Sequence, residues 1–139
     1  MTARGWLRWV LRVTGVTMLF ALVFVFCPFG WMQAIHGRVG MGELAYTPLL
    51  SYLIRTLAAM YASMGALALF VSRDVERYGP VIRLLGWIGI LGGAGVTALD
   101  AVLGLPLFWT ATEGPLTVAL GMVLLALLAK MPKAAPQGN

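Results

Sequence analysis

The chain has 139 residues, of which 60% are hydrophobic and 11% charged, and its mean hydropathy is +0.89. A soluble domain carries roughly 25% charged residues because its surface faces water, so this composition excludes an ordinary soluble domain and predicts an integral membrane protein. The net charge of +5 does not indicate a nucleic-acid-binding protein, because the basic residues lie at the ends of apolar segments and form no patch with aromatic residues.

Four apolar segments have the length of about 20 residues that crosses a hydrocarbon core of ~30 Å. In chain order, the predicted spans are 11–29, 48–71, 80–103 and 112–129. Pro28 and Gly30 end the first span, Pro80 begins the third, and Pro115 lies in the first turn of the fourth. The predicted fold class is therefore all-α: an integral membrane four-helix bundle forming one transmembrane domain over 1–131, followed by a disordered tail over 132–139.

Basic residues set the predicted orientation of these spans. Eight of the ten fall on one side, and the positive-inside rule makes that side cytoplasmic. They are Arg4, Arg8, Arg12, Arg73, Arg77, Arg83, Lys130 and Lys133. Both chain ends and the short polar hairpin between the second and third spans are then cytoplasmic, and the expected location is a bacterial inner membrane.

The first outer loop, residues 30–47, contains a predicted surface helix. Trp31, Ala34, Ile35 and Val39 recur near helical spacing beside polar residues. Such an amphipathic segment favours a position in the plane of the membrane surface. We therefore expect a short interfacial helix over 31–39.

Two ionisable residues, Arg55 and Asp100, lie inside the predicted spans, where a charge is costly and is expected to face protein. Each belongs to a face of small residues that is suited to close helix packing. These faces are Ser51, Arg55, Ala58, Ala62 and Gly65 in the second span, and Gly86, Gly89, Gly93, Thr97 and Asp100 in the third. Because a short hairpin joins the two spans, we expect the faces to pack together and Arg55 and Asp100 to form a buried ion pair.

Polar residues also gather near the predicted outer leaflet. We expect them to form a pocket covered by the 31–39 segment and lined by His36, Glu43, Tyr52, Arg55, Asp100, Trp109 and Glu113. A buried arginine with two carboxylates nearby leaves a net negative site, which suits a cationic or hydrogen-bond-donating ligand. The alternative interpretation is a set of polar helix ends together with one structural ion pair.

Single copies of cysteine and histidine limit the chemistry. Cys27 alone allows neither an intrachain disulfide nor a redox pair within the chain, and His36 alone excludes bis-histidine ligation of haem within one chain. No metal site and no cofactor are predicted. The methionines at 18, 60, 64 and 122 are interpreted as packing filler.

Four short spans, an Arg- and Trp-rich start, a polar outer loop and a Gly-rich third helix together resemble small bacterial inner-membrane proteins of the DoxX-like and related uncharacterised groups. The resemblance covers most of the chain and concerns its architecture. It implies a multi-pass inner-membrane protein, and no functional residue is carried over from it.

The sequence favours a non-enzymatic membrane protein, either an accessory subunit of a larger complex or a small binding protein. The reason is that the polar residues lack a spacing specific to any reaction. The alternative is a membrane enzyme or carrier that acts on a lipid, a quinone or a small polar molecule in the outer-leaflet pocket. Membrane lipids are the expected partners, nucleic acid is not, and association with a larger complex or with further copies of the chain stays open.

Overall fold

A computed structural model describes residues 2–131 of the chain. Over this range the protein is all-α, without a strand. The helices are α1 (Ala3–Leu19), α2 (Leu22–Phe26), α3 (Phe29–Arg38), α4 (Pro48–Val71), α5 (Gly79–Leu103) and α6 (Leu107–Ala129). The disordered tail predicted over 132–139 lies outside the described residues.

Four helical segments are long and apolar enough to cross a membrane: Ala3–Phe26, which joins α1 and α2, and the helices α4, α5 and α6. The predicted number of spans and the multi-pass architecture are thus confirmed. The first segment begins before the predicted residue 11, because arginine is a good helix former and Arg4 and Arg8 lie within α1. The fourth begins at Leu107, so that Pro115 lies inside α6 and not in its first turn.

The first apolar segment is interrupted at Phe20 and Ala21, which separate α1 from α2. Around this break the backbone bonds shorten to i→i−3 spacing. The N–H of Ala21 donates to the carbonyl of Met18 at 3.1 Å, and the N–H of Phe24 donates to that of Ala21 at 2.9 Å. This is the spacing of a 3₁₀ turn, so the segment is divided without a glycine or a proline.

After Pro28, α3 forms where the sequence predicts a helix over 31–39. The position of α3 at a membrane surface and the orientation of the chain ends stay predictions. The described residues fall into two compact units, 2–11 with 71–131 and 12–70, which we call the first and second units and describe separately. The single transmembrane domain also stays a prediction.

In the first unit, α5 and α6 form an antiparallel hairpin whose backbones touch. A Cβ atom at Gly93 would lie 2.7 Å from the carbonyl oxygen of Gly114, and one at Gly121 would lie 2.5 Å from that of Gly86. The glycine face of α5 therefore packs within the chain, but its partner is α6, whereas the sequence predicts the second span. The physical reason is that Gly114 and Gly121 repeat at the same interval as Gly86 and Gly93, so glycines can meet at two successive levels.

The other end of the first unit has a compact core. Its fully buried side chains come from the start of α1, the end of α4, the 72–78 hairpin and the first turn of α5: Leu7, Val71, Ser72, Val75 and Ile82. Arg4 of α1 forms an ion pair with Glu76 of the hairpin. Within the hairpin, a carboxylate oxygen of Asp74 accepts the N–H of Arg77 at 3.1 Å. The start of α1 is thus tied to the hairpin by apolar burial and by charge.

In the second unit, α1 and α4 meet at one pair of glycines. A Cβ atom at Gly65 would lie 2.7 Å from the carbonyl oxygen of Gly15. The buried stripe of α4 continues through Ala62 and Ala58, which belong to the small-residue face identified in the sequence. Close approach of α1 therefore depends on small side chains at this stripe.

Candidate functional site

Arg55 of α4 binds the end of α2. Its guanidinium donates through Nη1 to the carbonyl of Val25 and through Nη2 to the carbonyl of Cys27 at 3.0 Å. Its Nε lies 3.4 Å from the hydroxyl of Ser51, one turn earlier in α4. The charged side chain thus acts as a clamp between two helices of the second unit.

The carbonyls at the end of α2 need this clamp because of Pro28. Proline has no backbone N–H and disfavours the helical conformation of the residue before it, so α2 ends at Phe26. The last carbonyls of a helix have no helical donor and carry a partial negative charge. A guanidinium supplies both the missing N–H groups and the complementary charge. These hydrogen bonds explain why a charged residue occurs inside an otherwise apolar helix.

The segment after α3 is held against that helix by two side chains. Gln33 Nε2 donates to the carbonyl of Leu44 at 2.8 Å, and His36 Nδ1 lies 3.0 Å from the carbonyl oxygen of Gly42. Since a carbonyl only accepts, Nδ1 is the donor in this contact. A polar depression of about 350 Å³ lies between helix and segment, lined by Gln33, Gly37, Gly42, Glu43, Leu44 and Ala45.

Two apolar grooves lie along α4 in the same unit. The first has a volume of about 450 Å³ and is lined by Met18 of α1 together with α4 residues such as Met60 and Met64. The second, of about 420 Å³, runs past the break between α1 and α2. Both are bordered by Met18, Leu57 and Tyr61, so the two grooves are contiguous. Each volume falls in the range of ~300–1,000 Å³ that is typical of ligand pockets.

The first unit contains Asp100, Trp109 and Glu113. Asp100 is buried, with 5% of its surface exposed, and its Oδ2 atom has no hydrogen-bond partner among the described residues. Trp109 and Glu113 are half-buried on the first turns of α6. Thr97, one turn before Asp100, donates its hydroxyl proton to the carbonyl of Gly93 at 2.8 Å.

The residues of the predicted outer-leaflet pocket are therefore divided between the two units. Glu43 lines the polar depression, and His36 binds the segment that borders it. Tyr52 and Arg55 belong to the same unit but line none of the three cavities described above. Asp100, Trp109 and Glu113 belong to the first unit. Their convergence with Arg55, including the buried ion pair, stays a prediction.

The apolar grooves are not predicted from the sequence. Met18, Met60 and Met64 are expected from the sequence to be packing filler, whereas all three line the first groove. A signal was present, because Leu57, Met60 and Met64 recur at helical spacing on a face of α4 different from its small-residue face. Within residues 2–131, no group of three or more His, Cys, Asp or Glu side chains could hold a metal ion.

Comparison of the chain with protein-family models, with curated proteins and with solved structures finds no match. The resemblance to DoxX-like proteins therefore stays a prediction, and the grooves, the Arg55 clamp and the buried Asp100 are interpreted from their own geometry.

Proposed function

We propose that this protein is a small, non-enzymatic membrane binding protein that holds the hydrocarbon chain of a lipid in the grooves beside α4. The observation that carries this proposal is the contiguity of the two grooves, which share Met18, Leu57 and Tyr61. Their linings belong to segments apolar enough to cross a membrane, so hydrocarbon is the surrounding medium that can enter them.

The lining chemistry also supports a hydrocarbon ligand. Methionine side chains are flexible and polarizable, so they adapt to chains of different shape. The hydroxyl of Ser63, which borders the first groove, donates to the carbonyl of Ala59 at 2.9 Å and offers no free donor to a ligand. Because their linings are mostly apolar, the grooves favour an apolar chain over a polar molecule.

The test is lipid retention after purification of the full chain in mild detergent. Ala59→Phe places a large side chain in the first groove, and Ala94→Phe places the same side chain on an exposed position of α5 as a matched control. Solvent extraction and mass spectrometry should recover a chain-bearing lipid from the wild type and from Ala94→Phe, with a clear loss in Ala59→Phe. Equal retention in both variants would contradict the proposal, and a co-purifying protein lost only in Ala59→Phe would instead support an accessory subunit.

The polar depression favours a second candidate, a carrier or enzyme acting on a small polar molecule. Glu43 is the acidic side chain in its lining, and the adjacent Gly42 carbonyl is already bound by His36. A cationic ligand would suit this carboxylate. Binding of a small amine, measured by calorimetry and abolished in Glu43→Gln but not in Glu113→Gln, would favour this candidate over the hydrocarbon site.

We further propose a bacterial inner-membrane location with both chain ends in the cytoplasm. The distribution of basic residues supports this orientation. With Cys27 replaced by alanine, a single cysteine introduced at Gly42 should react with an impermeant maleimide in whole cells, and one at Gly79 should not. The reverse pattern would contradict the orientation.

A further inference from the structure

The positive charge of the first unit is concentrated at the end that contains the 72–78 hairpin, which we call the basic end. It includes the start of α1, the hairpin, the start of α5 and the end of α6, which packs against the first turn of α5. Among residues 2–131, its basic side chains are Arg4, Arg8, Arg73, Arg77, Arg83 and Lys130, and its acidic ones are Asp74 and Glu76. Both acidic side chains already have partners, because Glu76 pairs with Arg4 and Asp74 accepts the backbone N–H of Arg77. The basic end is therefore left with an excess of positive charge.

Arg8 differs from the other basic residues of this end because part of its guanidinium group is buried. Its Nε atom is withdrawn from solvent and has no hydrogen-bond partner among the described residues. The side chain as a whole is half-buried, whereas the other five basic side chains are exposed. Buried donors in proteins are nearly always hydrogen-bonded. The Nε–H group therefore points to an acceptor from outside the described chain.

Arg8 lies at the level of α1 where lipid headgroups are expected. The segment Ala3–Phe26 is long and apolar enough to cross a membrane, and Arg8 is five residues from its start, about 8 Å along the helix axis. Trp6 and Trp9, on either side of Arg8 in the sequence, are exposed and pack edge to face with ring centroids 5.7 Å apart. Exposed tryptophans at the end of a span are typical of the boundary between hydrocarbon and water. A lipid phosphate is the acceptor expected at that boundary.

A phosphate group has the chemistry that Arg8 requires. A planar guanidinium presents parallel N–H donors that bind two phosphate oxygens, and such charge-assisted hydrogen bonds are stronger than neutral ones. Further attraction for an anion comes from Arg73, Arg83 and Lys130, which form no ion pair among residues 2–131. A zwitterionic headgroup also carries a phosphate, but the same positive charges repel its cationic group. The basic end therefore favours an anionic headgroup.

We propose that Arg8 and the basic end of the first unit bind the phosphate headgroup of an anionic phospholipid. Arg8 supplies the specific hydrogen bonds, and the remaining cations supply attraction of longer range. The site is separate from the hydrocarbon grooves, which belong to the second unit. It differs from simple charge attraction in one respect: loss of Arg8 should weaken binding more than loss of another unpaired arginine of the same end.

Native mass spectrometry of the full chain in mild detergent tests this site. Phosphatidylglycerol is compared with phosphatidylcholine that carries the same acyl chains, so that the grooves contribute equally and the ratio of the two dissociation constants reports the headgroup. The wild type should prefer phosphatidylglycerol, and Arg8→Gln should lower this preference about tenfold, as expected for loss of a hydrogen bond to a charged group. Arg73→Gln is the matched control, because it removes the same charge from an exposed position of the same end and should lower the preference less.

Thermal unfolding separates a lipid site from a structural role of Arg8. Because its Nε atom has no partner among residues 2–131, Arg8→Gln should unfold near the wild-type midpoint in micelles that contain only phosphatidylcholine. Phosphatidylglycerol should then raise the midpoint of the wild type and of Arg73→Gln but not that of Arg8→Gln, since a ligand stabilises only the protein that binds it. Inorganic phosphate at the same concentration should have no effect, because it lacks the acyl chains that hold a headgroup at the membrane boundary.

Four results would overturn the proposal. A wild type without preference for phosphatidylglycerol would mean that no anionic headgroup is recognised. Equal losses in Arg8→Gln and Arg73→Gln would leave only diffuse charge attraction. An Arg8→Gln protein that is strongly destabilised in phosphatidylcholine would show that Arg8 has a structural partner, and an equal effect of inorganic phosphate would identify a free anion as the ligand.

Discussion

The hairpin of α5 and α6 in the first unit and the contact of α1 with α4 in the second use small residues to different extents. Five glycines, Gly86, Gly89, Gly93, Gly114 and Gly121, line the hairpin, and a Cβ atom at any of them would lie within 3.4 Å of the opposite helix. In the second unit only Gly15 and Gly65 make such contacts among the described residues. The rest of that surface leaves two open grooves.

The difference indicates how each unit is stabilised. Between membrane helices there is little hydrophobic driving force, so backbone proximity and polar contacts carry the association. The hairpin relies on backbone proximity. The second unit has fewer close backbone contacts and adds a charged clamp, Arg55 on the carbonyls of Val25 and Cys27. A unit that is held in this way can retain grooves without losing its helix contacts.

The largest effect is expected in the α5–α6 hairpin, whose backbones touch. Gly93→Leu would push the carbonyl of Gly114 and the backbone of Val118 in α6 away from α5. Overpacking of this kind costs about 2–3 kcal/mol or more. Thermal unfolding in detergent, followed by circular dichroism, should show a strongly lowered midpoint. Gly92→Leu is the matched control, because a Cβ atom at Gly92 meets nothing within 4 Å. Similar midpoints for the two variants would mean that glycine contact does not hold the hairpin.

The second largest effect is expected at the clamp. Arg55→Leu leaves two carbonyls at the end of α2 without their donors, and an unsatisfied buried acceptor costs about 1–3 kcal/mol. Arg55→Lys should fall between wild type and Arg55→Leu, because an ammonium keeps the charge but lacks the planar fork. Arg38→Leu, on the exposed side of α3, is the control. If denaturant unfolding gave Arg55→Leu and Arg38→Leu the same unfolding free energy, the Arg55 clamp would not stabilise the second unit.

Part of this arrangement could be predicted from the sequence. The four apolar spans follow from composition and length, and the faces containing Gly93 and Ala62 follow from helical periodicity, because both depend on local sequence. The partner of Gly93 could not be derived in the same way. It depends on which helix offers a complementary surface, and the sequence does not show whether the glycines of α6 or the small residues of α4 provide it. The ion pair of Arg55 with a carboxylate stays a prediction, whereas its hydrogen bonds to the carbonyls of Val25 and Cys27 could not be predicted, because opposite charges in the sequence do not indicate backbone acceptors.

A smaller effect is expected at the glycine pair of the second unit. Gly65→Ala adds a Cβ atom 2.7 Å from the carbonyl oxygen of Gly15, which α1 can relieve by a shift toward the open grooves. We expect a loss of about 1–2 kcal/mol. Gly37→Ala, a position with nothing within 4 Å, should be neutral or slightly stabilising because alanine is the better helix former. If Gly65→Ala were as damaging as Gly93→Leu in the same unfolding assay, the two units would not differ in tolerance.

The smallest effect is expected at the ion pair of Arg4 with Glu76, which joins α1 to the 72–78 hairpin between α4 and α5. The two side chains are 46% and 54% exposed, so their attraction is weakened by solvent and by the entropy of holding two long side chains. Exposed pairs contribute about 0–1 kcal/mol, and Arg4→Gln or Glu76→Gln should change the unfolding free energy by no more than that.

The buried Leu7 lies three residues after Arg4 on the same helix, and Leu7→Ala removes apolar burial instead of charge, so it should cost about 2–5 kcal/mol. A double-mutant cycle between Arg4 and Glu76 decides the point. A coupling energy well above the range for exposed pairs would mean that charge, and not apolar burial, fixes the start of α1 against the 72–78 hairpin.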